Sequence, residues 1–210
     1  QVKYQDACKR AIEKGILVNS IYCGNAGDNL VAAWQEVARL ADGRSACIDQ
    51  NNGTVVVETP FDQELVALSA SLNTTYLPYG AKGEWSAGNQ TQQDGNASSL
   101  GAAVSAQRCV TKGGSAYTNA QWDLVDACKA ADFKLEAIEA KDLPEAMRTM
   151  TIEQRRALVA QRAGERQAIQ AKIKEADAKR AKFVADAIAA RGGDATSFDR
   201  VIRDAVRAQA

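Results

Sequence analysis

The sequence has no histidine and only five cysteines, and both features restrict the chemistry that the chain can perform. Without histidine it lacks the commonest general base and the commonest transition-metal ligand. Ser-His-Asp and Cys-His catalysis are therefore excluded unless a partner supplies the imidazole. None of the cysteines forms a C-x-x-C pair, which disfavours a zinc ribbon or a thioredoxin-type redox motif. We expect a chain that is not an enzyme.

Long apolar runs and an excess of one charge are also missing. No apolar stretch approaches the roughly 20 residues that cross a bilayer, so we expect no membrane span. Lys plus Arg and Asp plus Glu both number 26, and this balance disfavours nucleic-acid binding by bulk electrostatics. The start at Gln1 carries neither an initiator Met nor a signal peptide, which leads us to expect a processed or truncated product.

Two pairs of cysteines are candidate disulfides. Cys109 and Cys128 flank a loop rich in Gly, Ser and Thr, and Cys8 lies on a predicted helix that precedes a strand ending at Cys23. The alternative is that these residues are small buried side chains with free thiols, as we expect for Cys47. If the disulfides form, the compartment is oxidising.

The first 80 residues alternate between helical and strand patterns. Helices are predicted at 6–14, 30–41 and from Thr59 to 72, strands at 16–23 and 44–49, and a turn with a short strand at 51–57. This alternation with short links predicts parallel strands with helices on the faces of the sheet. Two or three strands are few for such a sheet, so the unit looks incomplete by itself.

The composition changes after residue 80. Residues 81–118 are rich in Gly, Ser, Asn and Ala and predict a linker, with a helix over 97–108 as the alternative. The remainder, 119–210, is predicted to be helical. It has a helix at 119–131, a long helix at about 152–190 that starts with a capping box at Thr151 and Gln154, and a final helix at about 198–208.

The long helix carries a narrow and interrupted apolar stripe on a charged surface. The stripe consists of Leu158, Ile169, Ile173, Ala176, Phe183, Val184 and Ile188. Such a stripe is typical of a helix hairpin or a coiled-coil contact, so we expect a helix that contacts a partner. The alternative is a solvated helix stabilised by ion pairs between residues four apart. Among the tryptophans, Trp34 and Trp122 are expected in the core, and Trp85 is expected to anchor a loop.

Several short segments follow one another in a characteristic order. They include Ile21-Tyr22-Cys23-Gly24-Asn25, Thr59-Pro60-Phe61-Asp62, Thr75-Tyr76-Leu77-Pro78-Tyr79-Gly80, Leu143-Pro144-Glu145 and Met150-Thr151-Ile152-Glu153-Gln154-Arg155. In this order they resemble bacterial proteins with a von Willebrand factor A (VWA) domain. The resemblance implies an α/β fold in which residues 1–80 form the C-terminal half of a Rossmann-type parallel sheet with flanking helices. It also implies a long helical, coiled-coil-like extension.

The resemblance further implies a metal-ion-dependent adhesion site. There, Asp-x-Ser-x-Ser, a Thr and another Asp hold Mg²⁺ or Ca²⁺. In the resembled proteins these ligands lie upstream of the segment present here, and this chain contains no Asp-x-Ser-x-Ser. We expect no cofactor in this chain, and Mg²⁺ or Ca²⁺ only if the N-terminal half is present. An N-terminal fragment or a second chain would complete the sheet beside an apolar surface near residues 16–21.

The loop after the first strand is the candidate binding surface. Gly24, Asn25, Asp28 and Asn29 lie between a strand and a helix, where open α/β sheets bind ligands. Their spacing matches neither G-x-G-x-x-G nor a P-loop, and a plain connection is the alternative.

These features lead us to expect a non-catalytic protein-interaction or adhesion module with a helical arm for oligomerisation or partner docking. The alternatives are a permanent structural component of a larger extracellular or periplasmic assembly, and an accessory subunit of an enzyme complex. The resemblance implies an extracellular or periplasmic location, because proteins of this group are often exported.

Overall fold

The computed structural model of the chain describes residues 2–48, 56–190 and 198–209. In this part the protein is mixed α/β and mostly helical, with a small parallel sheet of two strands. It divides into two compact units. The sheet unit comprises Gln1–Val56 with Ile188–Ala210, and the helical unit comprises Val57–Ala187. The boundary therefore lies before the predicted one at residue 80, and the C-terminal helix belongs to the first unit.

The sheet unit is built from two strands and three helices. Its elements are α1 (Tyr4–Glu13), β1 (Ser20–Cys23), α2 (Val31–Leu40), β2 (Ser45–Ile48) and α8 (Phe198–Arg207). The strands pair in parallel, with Ser20 opposite Ser45 and Cys23 opposite Ile48. The predicted parallel arrangement and the final helix are confirmed. Most of the turn and strand expected at 51–57 lies outside the described residues.

Strand β1 is four residues shorter than the sequence predicts. Gly15 adopts a φ of 67°, and the Ile16 N–H donates to the Ala11 carbonyl at 2.9 Å. This closes α1 with a Schellman motif, in which a left-handed glycine ends the helix. Residues 16–19 form the connection from this cap to β1, although their apolar character alone favours a strand.

The helical unit contains five helices and three short 3₁₀ turns. The helices are α3 (Asp62–Asn73), α4 (Gly83–Ser99), α5 (Ala102–Gly113), α6 (Leu124–Ala127) and most of α7 (Ile152–Ala190). The 3₁₀ turns are Leu135–Ala137, Ala140–Asp142 and Glu145–Met147. The bounds of α7 match the prediction. So does its capping box, in which Thr151 and Gln154 exchange backbone–side-chain hydrogen bonds of 2.8 and 3.3 Å.

Residues 81–118 do not form a linker. They contain α4 and α5, and α5 packs against α3 and α7 in a core that includes Leu65, Leu72, Cys109 and Ile173. The alternative helix at 97–108 is also imprecise, because α4 ends at Ser99 and Gly101, with a φ of 111°, separates it from α5.

The helix predicted at 119–131 is reduced to the single turn α6. Asp123 is extended and forms an isolated antiparallel bridge with Pro78. Its carboxylate accepts from the Leu77 N–H at 2.8 Å and from the Asp126 N–H at 3.1 Å. The second bond caps α6, since an N-cap residue is non-helical. This bridge therefore replaces the first part of the expected helix.

Candidate functional site

The four predicted binding residues lie together in the loop at the carboxyl end of β1. The Asp28 carboxylate accepts from the Tyr22 hydroxyl at 2.8 Å and from the Asn25 N–H at 3.1 Å. The hydrogen bond to Asp28 raises the pKa of Tyr22. A Cβ on Gly24 would lie 2.7 Å from the Tyr22 ring, so a side chain does not fit there. Asp28 and Gly24 therefore shape the loop, while Asn25 and Asn29 are exposed.

The loop lies next to a free hydrogen-bonding edge of β1. The N–H groups of Ser20 and Gly24 donate to Arg44 and Ile48 at 3.0 and 2.9 Å. Alternate residues of a strand direct their N–H groups to opposite sides. The N–H groups of Ile21 and Cys23 therefore point away from β2. In the described part of the chain, no strand pairs with β1 on that side.

Apolar side chains are exposed before β1 and on the helices of the sheet unit. Ile16 and Leu17, which lead into β1, are 51% and 46% exposed. Trp34 of α2 is 45% exposed and contacts the Tyr22 ring at a centroid distance of 6.2 Å. The expectation that Trp34 lies in the core is therefore wrong for this structure, because one side of the ring remains open to solvent. Ile12, at the end of α1, is also exposed.

A buried arginine connects α7 to α6 in the helical unit. Arg166 is 3% exposed, and its guanidinium lies 2.7 Å from Asp123 and 3.0 Å from Asp126. It also donates to the Thr75 hydroxyl and carbonyl at 3.0 and 2.9 Å, and lies 4.3 Å above the Tyr76 ring. The charge is thus fully paired, as burial requires. This is a structural network, and the interpretation of the sequence did not identify it.

A second buried cation joins α5 to α3 and α4. The ammonium of Lys112 donates to Ser69, Asn73 and Asp94 at 3.0, 2.8 and 2.6 Å. Burial lowers the pKa of Lys112, but three acceptors match the three N–H bonds of an ammonium and favour the charged form. Burial alone would raise the pKa of Asp94, yet hydrogen bonds from Lys112 and Asn73 and the charge of Lys112 hold it below its ordinary value.

Arg180 forms a second link between α7 and the rest of the unit. It lies 2.8 Å from Asp62, which is 2% exposed. Burial favours a raised pKa for Asp62, but hydrogen bonds from Thr59 and Arg180 outweigh it and lower the pKa. Val159, Arg166, Ile173 and Arg180 follow at intervals of seven, which is the sequence signal that identifies this face.

The cysteines are free thiols in the structure. Cys109 lies in the core with Leu65 and Leu72, whereas Cys128 packs against the other apolar cluster. Cys8 donates to the Val37 carbonyl at 3.7 Å and Cys23 is exposed. Neither of the two candidate disulfides is formed. Burial raises the pKa of Cys109 to about 11, which keeps that thiol protonated at neutral pH.

In the part of the sequence that the structure describes, no group of three or more Cys, Asp or Glu side chains is arranged to hold a metal ion. The described helices include none with the length and apolarity that crossing a bilayer requires.

Comparison of the chain with protein families, with curated proteins and with solved structures found no match. Its function must therefore be inferred from its own residues.

Proposed function

We propose that the chain is a non-catalytic protein-interaction module of the VWA type, whose sheet unit receives a parallel strand from a protein partner at the free edge of β1. The helical unit is then an arm for partner docking or oligomerisation. An extracellular or periplasmic location belongs to the same proposal and rests on the resemblance to exported proteins.

The free edge of β1 is the observation that carries this proposal. It presents the N–H groups of Ile21 and Cys23 without a described strand beside them. Parallel strands are normally covered by neighbours, because unpaired edges bind other chains. An added strand would satisfy these donors and cover Ile16 and Leu17. The partner segment is therefore extended and apolar.

The adjoining loop gives the partner polar contacts. Asn25 and Asn29 are exposed at the carboxyl end of β1, which is the end where open α/β sheets bind ligands. Asp28 holds the loop in shape through Tyr22. A partner strand at β1 would end beside these two amides.

The apolar stripe on α7 ends in an exposed side chain, and this supports the proposed role of the helical unit as a docking arm. Arg166, Ile173 and Arg180 are used inside the helical unit. Phe183 continues the same stripe after Ala176 at a spacing of seven, and it is 40% exposed. An apolar side chain in this position favours docking of a further helix.

Hydrogen exchange measured by NMR tests the strand contact. In the isolated chain, the amides of Ile21 and Cys23 should exchange faster than those of Ser20 and Tyr22, which face β2. In the complex isolated from its native source, they should become protected. Equal exchange at all four amides in both states would contradict the proposal.

A charge variant tests whether the apolar surface contributes. Replacing Ile16 and Leu17 by Lys should abolish the complex, because two charges would have to be desolvated at the contact. Leu100→Lys, at an exposed position of the helical unit, is the matched control and should leave the complex intact. Sedimentation and intact mass measure the outcome. A complex that persists at high dilution would indicate the permanent structural component instead.

A further inference from the structure

A groove on the helical unit brings aromatic rings and planar amides together. It has a volume of about 210 Å³ and lies between α4 and the segment from Tyr117 to Trp122. The residues that line it include Trp85, Asn89, Gln93 and Asn119. The groove belongs to neither the free edge of β1 nor the stripe on α7.

One wall of the groove is a face of α4. Trp85, Asn89 and Gln93 follow at intervals of four residues, which places them along one side of the helix. Trp85 is 71% exposed, so it does not anchor a loop as the sequence suggested. Leaving most of an indole in water forgoes a large apolar burial. A ligand that covers the ring would recover this burial.

The opposite wall is held by the core. The Trp122 ring contacts the Tyr76 ring at a centroid distance of 5.4 Å, and Tyr76 lies beneath the buried Arg166 guanidinium. The Tyr117 hydroxyl donates to Gln90 at 3.0 Å. These contacts fix two aromatic side chains beside the groove before any ligand arrives.

Asn119 supplies a buried donor without an acceptor. Its Nδ2 atom is buried and makes no hydrogen bond, which is costly for a polar group. The backbone of Asn119 is fixed, because its N–H donates to Asp126 at 2.9 Å and its carbonyl accepts from Trp122 and Asp123. A rotation of the Asn119 amide towards the groove would bring this donor to a ligand oxygen, which would provide the missing acceptor.

The charge of the groove is already balanced. Arg108 lines it, but this guanidinium lies 2.5 Å from Asp94 and donates to the Gln90 carbonyl at 3.3 Å. The remaining donors and acceptors are mainly neutral amides and hydroxyls. Aromatic faces pack on the C–H faces of sugar rings, and amides pair with neighbouring hydroxyls by donating and accepting at once. We propose that this groove binds a neutral oligosaccharide.

Titration of the full chain with cellohexaose, chitohexaose and mannohexaose tests the proposal by calorimetry and tryptophan fluorescence. At least one hexasaccharide should bind. Trp85→Ala should weaken that binding by about tenfold or more, which corresponds to about 1.4 kcal/mol, because a central Trp contact commonly contributes at least this much. Asn119→Ala should weaken it as well. Circular dichroism establishes that each variant is folded.

Trp34→Ala is the matched control. It removes an exposed indole that lies outside the groove, in the sheet unit, and should leave sugar binding unchanged. Failure of all three sugars to bind at millimolar concentration would overturn the proposal. Equal losses in the Trp85 and Trp34 variants would also overturn it. Extended proline-rich peptides also dock on aromatic grooves. If decaproline bound in place of the sugars, and Trp85→Ala abolished that binding, the proposal would be overturned too. None of these outcomes depends on the strand contact at β1.

Discussion

Lys112 and Arg166 place positive charges in the interior of the helical unit, at 1% and 3% exposure. Desolvating such charges costs several kcal/mol, and the carboxylates and other hydrogen-bond acceptors beside them offset this cost. Buried ion pairs of this kind contribute little net stability. Their main effect is to favour one arrangement of the helices over the alternatives. Removing one partner leaves the opposite charge buried and uncompensated.

Arg166→Met should therefore lower the free energy of unfolding by about 3–5 kcal/mol. The change leaves Asp123 and Asp126 without their shared guanidinium. Urea unfolding followed by circular dichroism measures the loss. Arg156→Met is the control, because Arg156 pairs with Glu136 on the surface and should cost under about 1 kcal/mol. Similar losses in the two variants would contradict the interpretation.

Asp94 should make the helical unit sensitive to acid. Its folded pKa lies below the ordinary value, so the unfolded chain takes up this proton first. The contribution is fully present above the unfolded pKa of about 4 and is lost as the pH falls towards the folded pKa. The pKa values of Asp62 and Asp126 are also lowered in the folded chain, so these two residues likewise make the stability fall with decreasing pH.

Urea midpoints measured between pH 7 and pH 3 test this dependence. The midpoint should fall with pH, and Asp94→Asn should reduce the steepness of the fall. An Asn variant with an unchanged slope would show that Asp94 does not contribute to it.

At the scale of elements, α4 forms despite its composition. Gly88, Gly95 and several Asn and Ser residues lower its intrinsic helix propensity. Its position depends on Asp94, which binds Lys112 and Arg108 of α5. Tertiary contacts thus outweigh local preference, which is why composition predicted a linker here.

Glycine positions on the helices offer a test of this balance. A Cβ at Gly88 or Gly164 would meet no atom within 4 Å, so Ala at either position should raise the free energy of unfolding by about 0.5–1 kcal/mol. At Gly113 the added Cβ would lie 2.9 Å from Ile173, so Gly113→Ala should be neutral or destabilising. Thermal unfolding separates these outcomes. Equal gains at all three positions would contradict them.

The sequence predicts elements with strong local patterns and misses contacts between distant residues. The capping box at Thr151 and the apolar and charged pattern after it locate α7 correctly, and the candidate binding residues do share one loop. Arg166 is different, because Asp123 and Thr75 lie 43 and 91 residues away. No local pattern distinguishes it from the exposed Arg156. Trp34 fits an amphipathic helix but is half exposed, because periodicity does not indicate what covers the apolar face.

At the scale of the whole molecule, the helical unit contains its own core. Among the described residues, the two apolar clusters and the ion pairs of Arg166, Lys112 and Arg180 lie within residues 57–187. This segment, produced alone, should therefore unfold cooperatively in urea and be strongly helical by circular dichroism. The full chain is the reference. A gradual, non-cooperative loss of helix would show that the segment needs the remainder of the chain.

The seven-residue spacing on α7 has a mechanical consequence. Arg166 and Arg180 lie 14 residues apart, or about 21 Å along the axis. A slide of α7 by three residues would put Ile169 and Phe183 in the places of the two arginines. The carboxylates that Arg166 and Arg180 pair with would then have no cation. A force that pulls α7 along its axis therefore acts on the ion pairs of Arg166 and Arg180 at the same time. The helix can slide only when both ion pairs break together.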